Sequence, residues 1–178
     1  MKYIKLYEAF KTPKVLYRTT VFEWLVDFLK KGVSKPLGNN KYISFSKEEN
    51  SGNNDAFGDI RIDFDAAELY KQGAIEVEYT AEYFKKHSDI CFYVTGFSNE
   101  EEYNESIKGP NQEKEWTWLE YINTFKNEQE VMLKIIKMKP GLIKKVTVWD
   151  ADERDDIPQI KELLKTYKIK VEVPWEQN

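Results

Sequence analysis

The chain has 178 residues, enough for one domain with a real core, and carries a net charge of −4 with 33% charged and 15% aromatic residues. That balance gives no general attraction to nucleic acid or anionic lipid, and no apolar run reaches the roughly 18 residues of a membrane span. One cysteine, Cys91, forbids an internal disulfide, and one histidine, His87, leaves no cluster for zinc and no base for a Ser-His-Asp hydrolase unless His87 itself serves. The start, MKYIKLYEAFKTPK, lacks the apolar stretch of a signal peptide, so a reducing cytoplasm is expected.

In chain order, KVLYRT (14–19) predicts a strand. The following segment places Phe22, Leu25, Val26 and Leu29 at helical spacing, with Thr19 or Thr20 as N-cap and Gly32 as terminator. KYISFS is a second strand. The stretch after it, KEENSGNNDAFG, is rich in glycine and asparagine and suits a mobile loop that folds over a ligand. DIRIDFD alternates Ile60, Ile62 and Phe64 with charged residues, the period of a half-buried strand. AAELYKQG predicts a two-turn helix closed by Gly73, and AIEVEYT another strand. KKHSD predicts a solvated helix end at His87, and DICFYVTGF a buried strand. NEEEYNESIKGPNQEKE is a polar, partly helical connection, and WTWLEYINTF is ambiguous between helix and strand. EVMLKIIKM and LIKKVTVWD read as strands joined at KPG; DDIPQIKELLKTYK is a helix with Pro158 in its first turn, and KIKVEV a last strand. No repeat or linker divides residues 1–178, so the expectation is a single α+β domain.

Three short patterns could carry chemistry. Arg18 ends a strand in LYRTT, where a guanidinium fork suits phosphate, although strand-end arginines are usually surface ion-pair partners. Ser44 and Ser46 share one strand face, either as its wet side or as hydroxyls that orient a sugar or a carboxylate. Glu128 and Glu130, in NEQEVML, put two like charges on one face just ahead of an apolar strand, which costs repulsion unless that face is open water or each acid has its own partner.

Strand-end arginine in LYR, a Ser-x-Ser strand about 26 residues later, and Glu-x-Glu heading an apolar strand together resemble the Arg–Ser–Glu pattern of the mono-ADP-ribosyltransferases. The stretch EQEVML is most similar to that of small phage-encoded members. Phe45 within the serine motif, Lys47 after it and Thr19 after LYR depart from the usual pattern. The resemblance implies two mainly antiparallel sheets with short flanking helices, forming a cleft for NAD as co-substrate, with no metal required. It implies Glu130 as the acid that stabilises an oxocarbenium-like transition state, and Glu128 as the residue engaging an acceptor arginine on a protein in a bacterial or phage-infected cell. Arg18 would hold the NAD phosphates or adjoining ribose, Ser44 would brace Glu130 and the ribose with Ser46 behind it, and Phe57 would stack on nicotinamide. A membrane role is not implied, and a nucleic-acid acceptor is disfavoured by the acidic pI, although a basic patch such as LIKK could suffice. The alternative class is a binding or inhibitor protein on the same fold, whose 11 tyrosines and 5 tryptophans would serve an interface.

Overall fold

The computed structural model describes residues 13–36, 41–49, 60–107, 116–125, 130–149 and 157–174, with Glu130 described by its backbone. In chain order the strands are β1 (Val15–Thr20), β2 (Val33–Ser34), β3 (Ile43–Ser46), β4 (Ile60–Asp65), β5 (Ile75–Glu76), β6 (Glu130–Leu133), β7 (Ile136–Lys137), β8 (Ile143–Val148) and β9 (Lys170–Glu172). The helices are α1 (Phe22–Lys31), α2 (Ala66–Lys71), α3 (Ala81–Lys86), α4 (Ser88–Thr95), α5 (Glu100–Ser106), α6 (Trp118–Thr124) and α7 (Ile157–Thr166). Seven strands form one sheet in the order β5-β6-β3-β1-β4-β8-β9, and β2 pairs with β7 in a second. All pairings are antiparallel except β8–β9, which the α7 crossover makes parallel. The architecture is α+β with two mainly antiparallel sheets and short flanking helices, as expected from the sequence.

Strand alternation sorts the residues onto two faces. Leu16, Ile43, Phe45, Ile60, Ile62, Phe64, Val131, Val146 and Val148 line one face and pack with Leu25 and Phe28 of α1 and Ile160 and Leu164 of α7. At the β5-β6-β3 end the other face carries Met132, which packs with Phe84, Ile90, Cys91, Tyr103, Trp118 and Ile122 from α3 to α6. The chain thus has two cores, one on either side of the sheet.

Several expectations change. The N-cap of α1 is Val21, because Thr20 is spent as the last residue of β1; Gly32 does end the helix, at φ 66°. DICFYVTGF is the helix α4, closed by Gly96 at φ 81° whose N–H donates to the Phe92 carbonyl. Periodicity in so short an apolar run does not separate helix from strand, and the outward Phe92, 54% exposed, belongs to no buried strand. AIEVEYT contributes only the two residues of β5. WTWLEYINTF is a helix because Thr117 and Glu120 form a reciprocal capping box. EVMLKIIKM is divided at Lys134 and Ile135, so β6 and β7 join different sheets. His87 does sit exposed, between α3 and α4.

The polar face of β4 is not wet. Arg61 has a side chain only 4% exposed, bonded to Asp63 at 3.1 Å and to Glu49 at 2.8 Å. Its guanidinium also lies over the Tyr17 ring at 5.6 Å and the Trp149 ring at 5.3 Å. Removing one partner of a buried ion pair strands the other, so Arg61→Ala is expected to lower stability by about 3 kcal/mol in urea unfolding, more than an exposed lysine such as Lys31 would on truncation.

Candidate functional site

The sheet is nearly divided in two. β1 and β4 run together over six residue pairs, from Val15↔Asp65 to Thr20↔Ile60, whereas β1 and β3 share the single pair Tyr17↔Ser46. On the far side of β3 the pairing with β6 is again continuous, from Ile43↔Leu133 to Ser46↔Glu130. Beyond Tyr17 and Ser46, therefore, β1 and β3 part. A backbone carbonyl facing such a gap lacks its ladder partner and needs another donor.

Arg18 supplies it. Its Nη1 donates to the Ser44 carbonyl at 2.9 Å, spanning the gap from β1 to β3. The guanidinium lies over the Trp24 ring of α1 at 5.1 Å, and its Nε is buried with no hydrogen-bond partner among the described residues. Among the described residues no carboxylate pairs with it. Burial pushes the Arg18 guanidinium below its usual pKa, and the nearby Tyr93 hydroxyl opposes that shift. A largely buried cation with no carboxylate partner among the described residues is a group whose charge an anionic ligand could balance.

The Ser44 hydroxyl lies 3.2 Å from the Tyr93 hydroxyl of α4. Tyr93 packs edge-on to Tyr42 with ring centroids 6.1 Å apart, and Tyr42 donates to Asp89 at 2.6 Å. Arg18, Ser44 and Tyr93 thus meet at the strand gap, and an aromatic contact joins them to the Tyr42–Asp89 hydrogen bond at the foot of α4. The Ser46 hydroxyl accepts from the Glu48 N–H and donates to the Glu48 carbonyl, which starts the turn after β3.

Of the sequence-predicted residues, Arg18 and Ser44 meet directly. The register sets Ser46, rather than Ser44, straight across from Glu130. By alternation Arg18 belongs to the face of Leu16 and Thr20, while Ser44, Ser46 and position 130 fall on the other; the gap is where a guanidinium from the first face reaches β3. Glu128 and Phe57 lie outside the described residues, as does most of the expected lid. Sequence reasoning missed Tyr93 and Trp24. Tyr93 was hidden by the assignment of its segment to a strand, and Trp24 was legible as the α1 residue next to Leu25 on the apolar side. Among the described residues no group of three or more His, Cys, Asp or Glu gathers as for a metal, and no helix is long and apolar enough to cross a membrane.

No family model matches the chain, and no curated protein matches it. Among the solved structures similar to it are three of DarT from Thermus sp. 2.9. The complex with carba-NAD+ is 13% identical, with a TM-score of 0.42 over 89% of this chain and 94% of that one. The complex with NAD+ is 12% identical, with a TM-score of 0.41 over 90% of this chain and 95% of that one. The complex with ADP-ribosylated ssDNA is 13% identical, with a TM-score of 0.45 over 90% of this chain and 94% of that one. At that identity no residue role is carried across.

The Tyr42–Asp89 bond makes stability pH-dependent. Burial, and then the bond to Asp89, push the Tyr42 pKa from 10.0 up to about 12, while the same bond holds Asp89 below the usual carboxylate range. The Tyr42 contribution is full below pH 10.0, where folded and unfolded chains both keep the proton, and it fades as the pH rises towards about 12. The stability advantage of the natural chain over Tyr42→Phe should therefore shrink across that window in urea unfolding. A constant difference would contradict it.

Proposed function

We propose that the chain is an NAD-dependent ADP-ribosyltransferase acting on a protein side chain, with arginine as the acceptor. The observation that carries the reading is the Arg18 guanidinium, held at the parting of β1 and β3 with a buried, unpartnered Nε and no carboxylate among the described residues. It suits an anionic ligand such as a pyrophosphate. The order and spacing of Arg18, Ser44, Ser46, Glu128 and Glu130 supply the rest of the argument.

In this reading Arg18 holds the phosphates or adjoining ribose of NAD, and Ser44, kept in place by Tyr93, faces the nicotinamide ribose. Ser46, in register with Glu130, braces that acid, and Phe57 stacks on nicotinamide. The bond between ribose C1′ and the pyridinium nitrogen breaks, its electron pair leaves with neutral nicotinamide, and Glu130 stabilises the oxocarbenium ion through the 2′-hydroxyl. Electrostatic stabilisation aimed at charge that exists only in the transition state lowers the barrier rather than the ground state. Glu128 engages the acceptor guanidine, whose nitrogen lone pair forms the new bond to C1′ as a proton is lost.

Incubation with labelled NAD and three acceptors, namely an arginine-rich protein, single-stranded DNA and water, tests the reading. One of the similar DarT structures holds ADP-ribosylated ssDNA, so that arm is a required comparison. Glu130→Gln should lower both transfer and NAD hydrolysis by roughly 10²–10³-fold, because every outcome needs the same bond broken. Glu128→Gln should lose transfer to arginine and keep much of the hydrolysis. Unchanged activity in Glu130→Gln refutes the enzyme reading, and label on DNA alone refutes the protein acceptor. Separately, Arg18→Gln should raise the KM for NAD more than it lowers kcat, because phosphate binding is shared by ground and transition states.

A further inference from the structure

Beside Tyr42, a groove of about 830 Å³ opens between the end of α2, the start of β5, the foot of α4 and the β6–β7 connection. Four lysines, Lys71, Lys134, Lys137 and Lys139, stand in its wall, against one acid, Asp89. Lys71 is bound to Glu68 on its own helix. Lys134, Lys137 and Lys139 have no ion pair among the described residues. In a chain with net charge −4, these three lysines, Lys134 in the β6–β7 turn with its ammonium 5.5 Å from the Tyr42 ring centre, Lys137 in β7 and Lys139 just after it, concentrate positive potential on one wall.

The wall is also held in shape. The Gln72 amide donates to the Lys137 carbonyl at 3.0 Å and accepts from the Lys137 N–H at 2.7 Å, so the end of β7 is pinned to the end of α2. Two isoleucines in the same wall, Ile75 and Ile135, are 39% and 40% exposed. Solvent-facing aliphatic residues beside unpaired ammonium groups have the composition of a recognition surface.

We infer that this groove docks an extended acidic peptide segment of a partner protein, its carboxylates meeting Lys134, Lys137 and Lys139 and its aliphatic side chains covering Ile75 and Ile135. Two observations favour peptide over a nucleic-acid strand. A strand bound without base pairing relies on free aromatic faces for stacking; in the wall, Tyr42 is 5% exposed with its hydroxyl committed to Asp89, and the exposed His87 ring already lies against Tyr83 with centroids 4.5 Å apart. Moreover, the acidic balance of the chain opposes a polyanion running beyond the groove but not a short segment that ends within it. The inference rests on this surface alone and stands independently of NAD chemistry.

The test is fluorescence anisotropy with a labelled peptide of alternating Glu and Val, capped at both ends, beside a labelled single-stranded oligonucleotide of equal charge. The expected result is peptide binding that weakens with salt, falls roughly tenfold or more in Lys134→Gln/Lys137→Gln/Lys139→Gln, and falls again in Ile135→Ser. All four positions are exposed, and thermal unfolding of each variant checks that the fold is kept. Peptide binding unaffected by the triple substitution overturns the inference. So does absence of peptide binding, or oligonucleotide binding that is tighter than the peptide's and lost in the same variant.

Discussion

The hydrogen bond from Arg18 to the Ser44 carbonyl is the constraint on which the layout turns. With a single residue pair joining β1 to β3, the large sheet would otherwise consist of two sheets sharing an edge, β5-β6-β3 and β1-β4-β8-β9. A side chain bridging that gap lets the two halves diverge without leaving the Ser44 carbonyl unsatisfied. The core under α1 and α7 still runs continuously across both halves, joining Phe45 and Val131 to Leu16 and Ile62, while the core under α3 to α6 covers the opposite face at the β5-β6-β3 end.

Two arginines of the same sheet show what is unusual about the first. Arg61 is more deeply buried and is saturated, with Glu49, Asp63 and two aromatic rings around it. Arg18 is given a carbonyl, a tryptophan face and nothing anionic among the described residues. An unpaired guanidinium costs desolvation that Arg61 avoids, and the cost is explained if a ligand completes its shell. Tyr93 matters for the same reason, since it keeps a hydroxyl near both Ser44 and the cation.

What was legible in the sequence follows from how local each signal is. β4 could be read because strict alternation has no helical counterpart, β1 because β-branched and aromatic residues crowd a short segment, and α1 because its apolar stripe and Gly32 agree. The capping box of α6 was also present, as Thr117 and Glu120, and reading it would have resolved that segment. α4 was beyond local signals: eight residues rich in β-branched and aromatic side chains fit either element, and only packing against Met132 from the sheet decides. The candidate site divides in the same way. Arg18, Ser44 and Ser46 announce themselves by spacing, whereas Tyr93 joins them through the placement of a helix that the sequence does not specify.

Placing α4 inside the second core also buries Cys91, the chain's single thiol, completely. Burial raises its pKa, so the folded protein holds it as an unreactive thiol, shielded by the same aromatic layer that carries Tyr93. Modification of that sulfur then requires the helical layer to lift from the sheet. Its rate is therefore a clock for any opening of the layer that holds Tyr93.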